Sequence, residues 1–184
     1  PTFVKSLVES ISPEWYDDLI IVNDGDPVHG LDDYEVIQNK TNLGVCKSKN
    51  IALRRLLSGG NDYIFLIEDD MLIKGNVFEK YIRAYKKTNI HHFTFAYHGD
   101  YNKNNGKPNP LNVIDYGDIK ISLNRHSVGA FAFFTKESIL KTGLFDEKYS
   151  DFGNAVDHVD HSYRLALNGY STPYWWWADI YESW

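Results

Sequence analysis

In the stretch "YIFLIEDDMLI" (63–73), Glu68, Asp69 and Asp70 stand back to back with apolar residues on both sides. Burying even one unpaired carboxylate costs several kcal/mol or forces a shift in its pKa, so three in succession need either solvent or a cation to take up their charge. A hard divalent ion such as Mg2+ or Mn2+ takes oxygen ligands, commonly one or two carboxylates, with water and substrate phosphates completing the shell. Such an ion would also let an acidic chain bind a diphosphate. A second polar cluster lies in "DFGNAVDHVDHSYR" (151–164), where Asp157, Asp160, His161 and Arg164 recur at helical spacing as one polar stripe, with Val156, Val159, Tyr163, Ala166 and Leu167 expected on the core side. Carboxylates and imidazoles at such a position can act as general bases, the imidazole having an ordinary pKa near 6.5.

Both clusters have plainer readings. Acids at a strand end can be simple solvated turn residues, and an Asp160–Arg164 i,i+4 pair on a wet face contributes only tenths of a kcal/mol. His158 and His161 with flanking acids could instead ligate zinc, but their i,i+3 spacing is not the usual i,i+4 zinc-helix pair. His91, His92 and His98 offer no obvious third ligand.

The elements that must hold these residues follow from periodicity. Val4, Leu7, Val8 and Ile11 mark a helix closed by Ser12-Pro13, and Leu19–Val22 a short strand ending in the turn residues Asn23-Asp24-Gly25-Asp26. A short strand at Val36–Gln38, a helix around Ala52, Leu53, Leu56 and Leu57 stopped by Gly59-Gly60, and a strand at Tyr63–Ile67 come next. A helix follows with Val77, Phe78, Tyr81 and Tyr85 on one face. Strands are expected at Phe93–Tyr97, Ile119–Leu123 and Val128–Phe134, with the polar stretch His98–Asn112 as a long loop. Helices at Lys136–Lys141 and Asp157–Asn168 close the pattern. Alternating helices and near-continuous apolar strands predict an α/β fold, a mostly parallel sheet with helices on both faces. In such a sheet ligands gather beyond the carboxyl ends of the strands, which puts Asp24 and the acidic triplet on one rim.

Length and composition bound the rest. With 184 residues and 43% hydrophobic content, the chain makes one domain with a real core. A net charge of -6 with no Lys/Arg-rich face argues against nucleic-acid binding by bulk electrostatics. Cys46 is the single cysteine, which excludes an internal disulfide and fits a reducing compartment. No apolar run reaches the roughly 18 to 20 residues of a membrane span and no signal-peptide pattern opens the chain. The expectation is a cytoplasmic protein without a transmembrane segment, with any peripheral membrane attachment made through parts outside this chain. Because the chain starts at Pro1 and enters a helical pattern at once, it is expected to be a piece of something longer.

The segments "FVKSLVESI", "LIIVNDGD", "NLGVCKSKNIAL", "YIFLIEDDMLI", "VGAFAFFTKESILKTGLFDEKY" and "DHVDHSYRLALNGY", in that order, resemble the GT-A fold (nucleotide-diphospho-sugar transferase) glycosyltransferases, especially the inverting family-two enzymes. The likeness covers nearly the whole chain. It implies a Rossmann-like domain with its first strand truncated, a nucleotide-binding half at about 1–75 and an acceptor half at about 76–184. It implies a nucleotide-sugar donor, a UDP-sugar foremost, a carbohydrate or glycoconjugate acceptor, and Mn2+ or Mg2+. By the resemblance Asp24 meets the base or ribose, Asn42, Lys49 and Asn50 line the nucleotide side, Asp70 holds the metal, and Glu68 and Asp69 position water, ribose or sugar. Independently of the family, Gly44, Lys47 and Lys49 near a helix start suit an anion.

The family's base element usually reads Glu-Asp-x-Asp with Arg four residues on, and its first aspartate is usually the base. Here Asp160 and Arg164 match, Asp157 replaces the glutamate, and His158 stands at the base position. Either His158 is the base or Asp157 has taken over, and Asp157 is favoured because His158 and His161 could orient it. "YWWWADIYESW" carries four tryptophans that could stack on an acceptor sugar, although core packing explains them as readily. Two classes stay open: a metal-dependent glycosyltransferase, and a non-catalytic carbohydrate- or nucleotide-binding module on the same fold.

Overall fold

In the computed structural model, residues 2–126, 128–152 and 156–181 are described. Trp184, grouped above with the other tryptophans, lies outside them. The first helices and strands run α1 (Thr2–Glu9), β1 (Ile20–Asn23), β2 (Glu35–Gln38), α2 (Val45–Ser58), β3 (Tyr63–Ile67), α3 (Val77–Thr88) and β4 (His92–Thr94). They continue β5 (Lys103–Asn104), β6 (Lys107–Pro108), β7 (Asn112–Asp115), β8 (Lys120–Leu123), β9 (Phe131–Thr135), α4 (Lys136–Thr142), α5 (Asp157–Leu167) and β10 (Ala178–Ile180).

The central sheet has the order β3-β9-β4, with β9 antiparallel to both neighbours in the registers Ile67↔Phe131 and Thr94↔Ala132. Alternation along these strands divides the core. Phe65, Phe131, Phe133 and Phe93 meet Phe78, Tyr81 and Ala84 of α3 in one cluster. Ile64, Leu66, Ala132 and Phe134 meet Cys46 and Leu53 of α2, Ile139 of α4 and Leu165 of α5 in another. Helices therefore cover both faces, as the pattern predicted.

The mostly parallel sheet does not hold. Among the described residues only β1 and β2 pair in parallel; β3-β9-β4, the sheet β10-β8-β7 and the hairpin β5-β6 are antiparallel. Near-continuous apolar strands report burial of both faces, not direction. β3 and β4 do run the same way through α3, but β9 arrives from far along the chain and inserts between them. Other boundaries move as well. β4 stops at Thr94 and residues 96–98 form a 3-10 turn, so the strand expected to reach Tyr97 is shorter. The loop expected at 98–112 contains a small hairpin whose turn places Asn105 and Gly106 at positive φ (50 and 73°), the conformation that Asn-Gly favours.

A buried carboxylate fastens the two three-stranded sheets. Asp179 of β10 accepts hydrogen bonds from Tyr81 Oη at 2.6 Å and from the Ala96 amide at 3.1 Å, and so ties α3 and the 96–98 turn to the far sheet. Asp179 is fully buried, so bulk water cannot replace a lost donor. Tyr81→Phe is expected to destabilise the fold by about 1–3 kcal/mol, read as a lower urea midpoint with unchanged slope; an unchanged midpoint would contradict this role for Asp179.

Candidate functional site

The rim is built where strand pairing stops. Glu68 lies one residue past β3 yet still donates its amide to Ala130 O at 2.8 Å, and Asp69-Asp70 then turn away into solvent. The question raised by three acids in an apolar run is thereby answered: they begin where the strand ends. Asp70 is 58% exposed, with His98 Nε2 4.0 Å from its Oδ2. His98 follows β4, so the carboxyl ends of β3 and β4 and the amino end of β9 share this edge.

Lys49 of α2 reaches the rim from behind. Its ammonium lies 2.9 Å from Asp157 Oδ2 and 3.3 Å from Glu68 Oε1, and its side chain is 11% exposed. It thus joins the acidic triplet to the first residue of α5. Lys49, expected on the nucleotide side, occupies an internal position between the two acids. Asp157 is 2% exposed, and His158 Nδ1 lies 3.4 Å from its other carboxylate oxygen. Burial acts to raise the Asp157 pKa, but the neighbouring His158 and Lys49 outweigh it and hold the carboxyl well below the usual range.

α5 presents the opposite face to the one periodicity assigned it. Asp157, His161, Ser162 and Leu165 are buried, whereas Val156, Tyr163 and Leu167 are exposed. The polar stripe turns inward because it has partners there. Besides the Lys49 pair, His161 Nε2 meets Gly143 O at 2.9 Å. Arg164 pairs with Asp160 at 2.8 Å and donates to the Thr142 and Leu144 carbonyls, so this pair knits α5 to the end of α4 rather than sitting on a wet face. His158 packs over Gly129, where a Cβ would come within 2.9 Å of Nδ1. Sequence reasoning passed over Gly129, since its requirement is a close approach from α5 that no local pattern encodes.

The remaining predicted residues separate. Asp24 accepts from the Leu43 and Gly44 amides at 2.8 and 2.7 Å and from Asn39 at 2.8 Å. Burial acts against its ionised form, but these donors prevail and lower its pKa. Asp24 therefore clamps the start of α2, where Gly44 takes a φ of 84° that favours glycine. Asn42 is exposed and caps the Gly44 amide at 3.0 Å. Asn50 is 1% exposed and fully engaged with Phe145 and Glu147, so it anchors α2 to residues 145–147 instead of facing a cleft. Asp69 is exposed beside Asp70. Trp175 is the most exposed of its triplet and donates its indole N–H to Asn124 O at 2.7 Å; Trp176 stacks edge-on against Tyr163.

Among the described residues, no three His, Cys, Asp or Glu side chains converge as a metal cage. With His161 turned to a carbonyl, the His158–His161 pair does not suit zinc. A divalent ion that takes one or two carboxylates and completes its shell from a diphosphate fits better: Asp70 and Asp69 are solvent-facing hard donors, and Glu68 is half exposed.

The chain therefore combines an acidic rim with an α/β fold that has helices on both faces. No protein-family description matches the chain. In sequence it is 28% identical over 138 residues to an uncharacterized glycosyltransferase, R363, of Acanthamoeba polyphaga mimivirus, an alignment covering 74% of this chain and 51% of that protein. Its fold is similar to that of S. aureus TarS 1–349, with a TM-score of 0.63, 13% identity, and coverage of 90% of this chain and 52% of that one. A second S. aureus TarS structure aligns with a TM-score of 0.60 at 14% identity, over 90% of this chain and 31% of that one. The chain thus spans about half the length of the viral relative it matches. No helix among the described residues is long and apolar enough to cross a membrane.

Two measurements follow. Lys49→Met would leave Asp157 buried without its ammonium partner, and is expected to cost about 3–5 kcal/mol; adding Asp157→Asn should recover much of that, and no recovery would sink the pairing. Burial also pushes His92 down to about 3 and His161 to about 4. Both folded values lie below the unfolded 6.5, so the unfolded chain binds more protons and stability falls as pH drops from about 6.5 toward 4. At pH 5 the loss is about 2 kcal/mol per imidazole. Asp157 adds its own loss only below about pH 4. Tm should decline between pH 7 and 5, and His92→Gln should flatten that decline.

Proposed function

We propose that this chain is a metal-dependent glycosyltransferase domain of GT-A type, akin to the inverting family-two enzymes. In this reading it moves a sugar from a nucleotide-diphosphate donor, a UDP-sugar foremost, to a hydroxyl of a carbohydrate or glycoconjugate acceptor, as in polysaccharide synthesis. The observation that carries it is the rim itself: exposed Asp69 and Asp70 at the end of β3, joined through Glu68 and Lys49 to the helix bearing the candidate base. The glycosyltransferase relative and the TarS-like fold support the class.

Mn2+ or Mg2+ would be held by Asp70 with Glu68, and when bound would supply positive charge against the leaving diphosphate. The chain's own residues do the rest. Asp69 stays free for ribose or sugar hydroxyls, exposed Asn42 borders the nucleotide side, and Asp24 and Asn50 act by fixing α2, from which Lys49 extends. Asp157, buried, ion-paired and acidic, is a weak proton acceptor. That favours His158 as the base, with Asp157 orienting its ring, over the reverse assignment. Inversion follows if His158 draws the acceptor proton on the face opposite the diphosphate.

Calorimetry with UDP tests the metal site. Asp70→Ala is expected to weaken Mn2+-dependent UDP binding by about 10-fold or more, equivalent to 1.4 kcal/mol, and binding that is the same in EDTA would refute it. Donor binding without turnover in a chain with intact His158 would favour the non-catalytic binding module.

A further inference from the structure

Beneath α5 the charged and aromatic layers enclose a cavity of about 10 Å³, lined in part by Lys49, His92, Thr94, His158, His161 and Ser162. That is about the volume one water centre needs. Three polar atoms from its lining are buried without a hydrogen-bond partner among the described residues: Thr94 Oγ1, His158 Nδ1 and His161 Nδ1. Asp157 Oδ1 lies 3.4 Å from His158 Nδ1, in a geometry that does not satisfy that nitrogen as a hydrogen bond. Buried polar groups are almost always satisfied, by protein or by water, and three on residues that line one cavity of this size point to a shared partner.

Proton bookkeeping identifies what that partner must do. Gly143 O, a carbonyl, only accepts, so His161 Nε2 at 2.9 Å carries the hydrogen. Burial keeps this ring neutral above about pH 4, so its Nδ1 presents a lone pair and needs a donor. His92 is arranged in the opposite sense. Its Nδ1–H donates to Phe133 O at 3.0 Å and its Nε2 accepts from the Ser162 hydroxyl at 2.8 Å, so it has no demand left. Thr94 Oγ1 can both donate and accept. A water giving one hydrogen to His161 Nδ1 and exchanging with Thr94 has a lone pair left for His158 Nδ1, and that is satisfied when Nδ1 carries a hydrogen.

We infer that one buried water bridges Thr94 Oγ1, His161 Nδ1 and His158 Nδ1, and that it holds His158 in its Nδ1–H tautomer with Nε2 as the proton-accepting atom. Asp157 Oδ1, on the same side of the ring, favours the same tautomer. Thr94 and His161 become positioning residues, acting on an acceptor proton only through His158. The water site itself does not depend on the proposed activity; its kinetic consequence rests on that reading.

The test has two arms. A high-resolution crystal structure of the whole chain should show a water within about 3.2 Å of all three atoms, and 15N NMR should report His158 protonated at Nδ1 near pH 8. Thr94→Val, which keeps the shape and removes the hydroxyl, should lose the water and mix the His158 tautomers, while Thr94→Ser should keep both. Under the glycosyltransferase reading, Thr94→Val should also lower kcat about 10-fold with donor KM unchanged, and Thr94→Ser should restore it. A dry cavity, direct pairing of the three side chains, or a His158 tautomer unmoved by Thr94→Val overturns the inference. A wild-type chain that holds the water and tautomer but transfers no sugar leaves the inference standing and removes the glycosyltransferase reading instead.

Discussion

One ammonium organises this molecule. Lys49 is the only group that touches both the acidic end of β3 and the amino end of α5 in the ion pairs of the described residues, at 3.3 and 2.9 Å. Without it, a carboxylate that is 2% exposed would keep only its contact with His158, and burying a poorly compensated charge costs several kcal/mol. With it, the charge is an attachment point: α5 docks by its polar stripe, and the acids of β3 acquire a fixed relation to His158. Asp24 and Asn50 serve the same end by pinning the start of α2 and its packing against residues 145–147, which sets where the lysine emerges.

The inward stripe on α5 has a further consequence for chemistry. His161 of that stripe and His92 of β4 beneath it sit near ionisable neighbours yet are kept neutral by desolvation, His92 near 3 and His161 near 4. Neutral rings with one nitrogen committed to a carbonyl have a defined second nitrogen. A layer of such rings under His158 therefore transmits orientation rather than charge. Gly129 completes the arrangement, since only a residue without a Cβ lets the His158 ring lie against β9's approach.

Much of the fold was legible because burial on two faces and helical periodicity leave direct marks in sequence: β3, α3, α4 and α5 lie close to where the patterns placed them. Strand direction was not legible. It depends on β9 returning across a long connection to separate β3 from β4, and no local pattern carries that. β10 escaped for a related reason, being three residues long beside an aromatic cluster that dominates its neighbourhood. At the site, residue types were readable and roles were not. Glu68, Asp69 and Asp70 announced themselves by interrupting an apolar run. The helix face failed: Asp157 and His161 counted as solvent-facing because they are polar, whereas the partner that makes them buriable is Lys49, 108 residues from Asp157 in the chain. The partner of Asn50 was equally out of local reach, its amide satisfied by backbone 95 residues away.

That contrast bears on which side chain accepts a proton. A carboxylate at a helix start with a lysine on one oxygen is stabilised as the anion by both neighbours and by the helix dipole, and each stabilising contact makes it a poorer base. The same contacts make it a better orienter, because an anion beside an imidazole strengthens that ring as an acceptor at its far nitrogen. Under the proposed reading, His158 standing where a carboxylate base would be expected is compensated by its neighbour: Asp157 would give up direct proton transfer, and the imidazole would gain a fixed direction. The acidic rim supports this division, for Glu68 and Asp157 share the one lysine.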